Sequence, residues 1–248
     1  MRLAELYAYD RLTTKKTEKY IYMSTLRDKI LESIVKKSTL KQQIFDNTFS
    51  TFNELKETLF EMASEIDDEL DGKLDRRVRI EYRDRGKFEA QLQVASDILI
   101  FQMHTDVFSF DSNHIVWQNS YLQENKENAY TGVINIYNFL SDSMKYNRNA
   151  DEGYLIGRIL INREKCFWVE GKRQTLVRPM AFGSKKIDRE ALVTIIETAI
   201  NYSLNFDLLM PPYEENIRVT VDQFNSKLDN SKFTTGKRLS YDFSMDDI

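Results

Sequence analysis

The sequence predicts an α+β fold: an antiparallel sheet covered by helices, with long helices at the N-terminus. Three observations predict it. Apolar residues recur at helical spacing up to Leu70, and after Gly72 the rhythm changes to every second residue. The 3 prolines, Pro179, Pro211 and Pro212, all lie late in the 248 residues, so none interrupts the early helices. Residues 1–73 are the expected helical region and residues 74–248 the expected α+β domain.

Residues 12–72 read as helix. Phe45, Phe52, Leu59 and Ile66 stand seven apart, with Leu55 and Met62 between them. The flanking positions hold Ile44, Phe49, Lys56 and Ala63, a wide stripe suited to packing on a domain. An earlier helix, about 18–36, carries Leu26, Ile30 and Ile34 on one face. This leaves a homo-oligomer through the N-terminal helices open. The acidic run 65–71 precedes Gly72 and opposes the helix dipole there, so it frays or meets a basic partner.

Residues 77–83 and 87–94 alternate about Asp84-Arg85-Gly86, a hairpin pattern. Residues 97–110 read as one long strand, apolar on both faces and therefore central. Residues 113–122 are expected as a further strand. Val133, Ile136, Tyr137, Leu140 and Met144 give residues 131–146 a helical face. A hairpin follows, with strands on either side of residues 162–165, and then a helix over 187–204 that stops before Pro211-Pro212. Thr220 and Gln223 fit a capping box for a short helix. Residues 235–238 belong to a tail with one more expected strand.

Composition excludes several classes. With 42% apolar residues, 15 Phe and 13 Tyr, the chain can bury a core and is not of the disordered type. A formal charge of -4 gives no global drive towards nucleic acid or an anionic membrane, so any such attraction is local. A single cysteine, Cys166, forbids an internal disulfide and suits a cytoplasmic location. No apolar run approaches the roughly 18–20 residues of a membrane span, so no membrane partner is expected.

The binding candidate is the ribbon RRVRIEYRDRGK. On a strand Arg77, Arg79, Arg83, Arg85 and Lys87 share a face with Glu81, while Val78, Ile80, Tyr82 and Phe88 share the other. A basic ribbon pairs with phosphate or carboxylate through charge-assisted contacts. It fits a non-enzymatic binding or regulatory module whose partner, a protein or a nucleic acid, is phosphate-rich or acidic. The competing reading is a solvated strand face, or one neutralised by the acidic run at 65–71.

The catalytic candidate is Asp151 with Glu170 and Lys172. Period two sets Glu170 and Lys172 on one strand face, and a turn through 162–165 sets residue 155 opposite Lys172, with Asp151 just beyond. Two carboxylates could hold Mg²⁺, and a lysine could orient a water. This pattern resembles the Asp…Glu-x-Lys motif of restriction-endonuclease-like nucleases. The resemblance covers Asp151 to Lys172 alone, and implies a metal-dependent nuclease as the alternative function. Apart from that Mg²⁺, no cofactor is expected.

His104 and His114, with Asp106 and Asp111, have the residue types of a transition-metal site. The apolar neighbours of His104 favour a core histidine, and no metal is expected there. Cys166 reads as a buried, inert thiol. The segments DILIFQMHTDVFSF, YTGVINIYNFLSDSMKYN, YLIGRILINREKCFWVEGKRQ and NFDLLMPPY resemble an uncharacterised family of bacterial cytosolic α+β proteins. That resemblance implies a bacterial source and a cytoplasmic location, and brings no reaction with it.

Overall fold

The computed structural model describes residues 3–73, 75, 78–149, 151–171 and 181–206, with side chains from Thr25 onward. Lys172, Arg77 and the expected elements around 220–238 lie outside the described residues. Compactness divides the chain into 1–43 and 44–248, inside the first helix, where the sequence reading set the division at 73/74.

The first unit is helical. In it Leu26, Ile30 and Ile34 are about half exposed, as are Leu31 and Val35. Helix α1 runs over Leu3–Leu70 without the break that a separate earlier helix would need. It stops where the rhythm changes. Gly72 takes φ 72°, and Lys73 N–H closes on Leu70 O at 3.0 Å, a left-handed ending that glycine adopts without a Cβ clash.

The second unit is built on a seven-stranded antiparallel sheet. Its strands are β1 (Ile80–Asp84), β2 (Glu89–Val94), β3 (Asp97–Met103), β4 (Phe108–Ser109), β5 (Tyr130–Leu140), β6 (Tyr154–Asn162) and β7 (Phe167–Gly171). The spatial order is β1-β2-β3-β5-β6-β7, with β4 also on β5. β1, β2 and β3 pair in sequence, as do β5, β6 and β7, while β3 pairs with β5 and residues 110–129 link β4 to β5. Short helices α2 (Ser120–Glu124) and α3 (Ser141–Lys145) follow β4 and β5, and α4 spans Arg189–Leu204.

One face of the sheet carries the larger core, and on the other Leu160 and Trp168 join Val116, Leu122 and Phe182 in a second, smaller one. Ile80, Leu92, Leu99, Phe101, Ile134, Ile136, Ile159 and Val169 point from successive strands into one cluster. Phe52, Leu55, Leu59 and Ala63 of α1 enter it with Leu192, Ile195, Ile196 and Ala199 of α4. The α1 stripe anticipated from spacing therefore packs on the domain. Gly132 lets α1 approach the sheet: a Cβ there would stand 2.1 Å from Thr48 Oγ1. Asn47 Nδ2 donates to Arg163 O at 2.7 Å and fixes the same region of α1 to the β6–β7 turn.

Four expectations are corrected. Residues 131–146 are not a helix: β5 occupies Tyr130–Leu140 and only Ser141–Lys145 is helical. Residues 131–136 are all buried, so β5 lies between covered faces and its alternation is hidden. The β-branched Val133, Ile134 and Ile136 favour the strand. Second, residues 113–122 form a 3-10 turn, Ile115–Gln118, and α2, rather than a strand. His114 and Asn119 cap them by accepting from Val116 N–H and Tyr121 N–H.

Third, the strand expected over 97–110 is interrupted. Met103 stands opposite Ile134, so an unbroken ladder would bring residue 106 opposite Thr131. Phe108 stands there instead, and two extra residues loop out after His104. Fourth, the β6–β7 hairpin forms with another register. The expected pairing would set Gly157 opposite Glu170; Arg158 stands there.

Candidate functional site

The sheet face opposite α1 and α4 is only partly covered, and its β1–β3 end is concave. A groove of about 1360 Å³ runs there between the β1–β2 hairpin, Ile98 of β3 and the α3 segment. Period two delivers its floor. Glu81 and Arg83 of β1 lie beside Gln93 and Gln91 of β2 across the ladder. Ile80, Tyr82 and Phe88 turn to the core side instead. Arg79, Arg83 and Arg85 line the groove on one side, and Lys145 and Arg148 on the other.

The arginines do not stand alone. Arg83 donates to Glu81 through Nε at 3.0 Å and Nη2 at 3.1 Å. That hydrogen bond holds the Glu81 carboxyl below its ordinary range, and the charges of Arg83 and Arg79 add to the effect while burial opposes it. Arg85 Nε pairs with Glu89 at 2.8 Å, and its Nη1 donates to Gln91. Arg148 pairs with Asp151 at 3.1 Å. Lys145 has no carboxylate partner among the described residues; its Nζ sits 5.0 Å from the Tyr146 ring centroid.

The acidic end of α1 reaches only one of these arginines. Asp67, Asp68 and Asp71 line a second cavity, of about 510 Å³, together with Arg79. Arg83 and Arg85 are not in its lining. At the hairpin tip Lys56 Nζ donates to Asp84 Oδ1 at 2.8 Å and to Gly86 O. The Lys56 hydrogen bond holds Asp84 below the ordinary aspartate range.

Lys87 departs from the ribbon. The turn rotates it towards α1, where its Nζ lies 5.1 Å from the ring centroids of both Phe49 and Phe88. Two cations absent from the sequence reading, Lys145 and Arg148, take its place in the groove. They lie over fifty residues from β1, so no local spacing could have joined them to it. Lys145 falls within the helix expected over 131–146, and Arg148 in the turn-rich loop expected after it, where Asn147 takes φ 51°.

Asp151 and Glu170 are engaged separately. The Asp151 side chain is 2% exposed and bound between Arg148 Nε and Ser143, whose hydroxyl donates at 2.5 Å. Glu170 is exposed and accepts from Arg158 Nη1 at 3.1 Å, its cross-strand neighbour. Among the described residues no group of three or more His, Cys, Asp and Glu side chains is placed to hold a metal ion. Cys166 is buried, and burial pushes its thiol up, away from the reactive thiolate. No helix among the described residues is long and apolar enough to cross a membrane. No family model, characterised protein or solved structure matches the chain.

Proposed function

We propose that the protein is a non-enzymatic binding module whose groove between β1, β2 and α3 takes a phosphate-rich or acidic partner. One observation carries the reading: besides Arg148, already paired with buried Asp151, the groove lining holds Arg79, Arg83, Arg85 and Lys145 against Glu81 and Asp142. Arg148 is held in a buried pair, but the Arg83–Glu81 and Arg85–Glu89 pairs are largely exposed, and exposed ion pairs contribute only about 0–1 kcal/mol. An incoming phosphate can therefore replace a carboxylate at Arg83 or Arg85 at small cost, and gains bidentate geometry. The nuclease alternative draws no such support, because Asp151 is buried in an ion pair and Glu170 is bound to Arg158.

Fluorescence anisotropy with a labelled single-stranded oligonucleotide tests this, beside an acidic peptide of equal charge. Binding should weaken steadily between about 50 and 200 mM salt. Arg83→Gln with Arg85→Gln should lower the salt slope by about 1.4, two single-strand phosphate contacts. Preference for the peptide would assign an acidic protein partner. Absence of binding to both at the lowest salt would remove the reading.

A further inference from the structure

The two residues looped out after β3 open a second pocket on the same sheet face, of about 370 Å³. Val133 and Asn135 of β5, Arg158 and Leu160 of β6 and Glu170 of β7 floor it, and the β3–β4 loop and the 110–114 turn wall it. Its size is near the lower end for small-molecule sites, which suits a single-ring ligand.

The walls are aromatic. Phe108 is 42% exposed, and its ring meets His104 edge to face at 4.7 Å. Phe110 stacks on His114 at 5.1 Å, and both lie against Trp168, at 5.5 and 5.4 Å. Phe108, the exposed phenyl ring of the wall, is thus the platform left for a planar guest.

The polar groups offer both hydrogen-bonding senses. His104 Nδ1 accepts from Asp106 N–H at 3.0 Å, and His114 Nδ1 from Val116 N–H at 3.2 Å. In each neutral ring the proton then sits on Nε2, which remains a donor. Arg158 gives Nε to Asn135 and Nη1 to Glu170, keeping Nη2. Glu170 Oε1 remains as an acceptor, as does Asp111 Oδ2, while Asp111 Oδ1 accepts from Asn113 N–H at 2.9 Å. Thr131 Oγ1, in the same wall, is buried without a hydrogen-bond partner among the described residues. One arginine faces two carboxylates, so the pocket does not select an anion.

We propose that this pocket holds a single pyrimidine-type ring, a neutral heteroaromatic with donors and acceptors along its edge, stacked on Phe108. The ring comes either as a free nucleoside or as one base of a strand, and the chemistry of capture is the same. The site is separate from the groove and does not depend on it.

Tryptophan fluorescence tests the proposal, since Trp168 lies behind the wall and Trp117 Nε1 donates to Asp111 O at 2.7 Å. Uridine, cytidine and a pyrimidine dinucleotide are titrated beside ribose and benzyl alcohol. A saturable change with the nucleosides, and none with ribose, supports the proposal. Tighter binding of the dinucleotide identifies a strand as the source. Phe108→Ala should weaken nucleoside binding roughly tenfold, the loss of one base-stacking platform. His104→Phe, which keeps a ring and removes the donor, should weaken it about fivefold. Both side chains are exposed, so thermal melting should be unchanged. No saturable change up to about 1 mM, benzyl alcohol binding as well as the nucleosides, or wild-type affinity in both variants would overturn it.

Discussion

Glu81 and Arg83 are two residues apart on β1 and share one face of it, which is why their side chains meet. Their hydrogen bond lowers the glutamate's folded pKa beneath the unfolded value of about 4.3. The sign follows from linkage. The pair contributes stability at pH above the ordinary glutamate value and loses it as pH falls through the lowered folded value. A carboxyl-detected NMR titration should place the Glu81 midpoint below the usual glutamate range, and Arg83→Gln should return it upward. A phosphate that recruits Arg83 should raise that midpoint as well. Equal midpoints in wild type and Arg83→Gln would contradict the account. At this scale alternation in the sequence revealed that Arg79 and Arg83 share a face with Glu81, and Arg85 joins them in the groove lining. It did not reveal the fate of Lys87 or the exposure of His104. Both depend on chain reversals, the hairpin turn and the looped-out residues, that shift side chains off the alternating register.

At the scale of elements, the sheet depends on how closely α1 can lie upon it. Gly132 sits under Thr48, whose hydroxyl donates to Ile44 O at 2.7 Å within α1. Gly132→Ala should destabilise the protein by about 1–3 kcal/mol, read by chemical denaturation. Adding Thr48→Ala should recover part of that loss, because the two residues contest one space. Unchanged stability in Gly132→Ala would show that the contact is looser than described. Elements with one covered face were legible, as the α1 stripe and α4 show a single period, and the β6–β7 hairpin was legible from two apolar runs about a polar turn. β5 was not, because Val133, Ile136, Tyr137 and Leu140 also fit a helical spacing and the bulge between Ile136 and Tyr137 breaks the two-residue alternation. The short helix α2 and its 3-10 neighbour were missed because their caps, His114 and Asn119, carry the signal rather than any apolar rhythm.

The whole molecule divides its sheet by chemistry. One face is filled by α1 and α4; the other holds a cationic groove at the β1 end, an aromatic pocket beside β4, and a small core over β6 and β7. Neither cavity could be read from the chain, since each joins residues from four or more segments that only the meander order brings together. The rhythm change at Gly72 announced the sheet but not which strands would flank which. The central claim is that this groove, and not the rest of a net acidic surface, receives the anionic partner. Amide chemical-shift mapping during titration with a short single-stranded oligonucleotide tests it most directly. The account predicts saturable shifts at Arg79, Arg83, Arg85, Gln91, Gln93 and Lys145 that weaken together as salt rises. Shifts confined to other surfaces, or a spectrum that does not change at low salt, would contradict it.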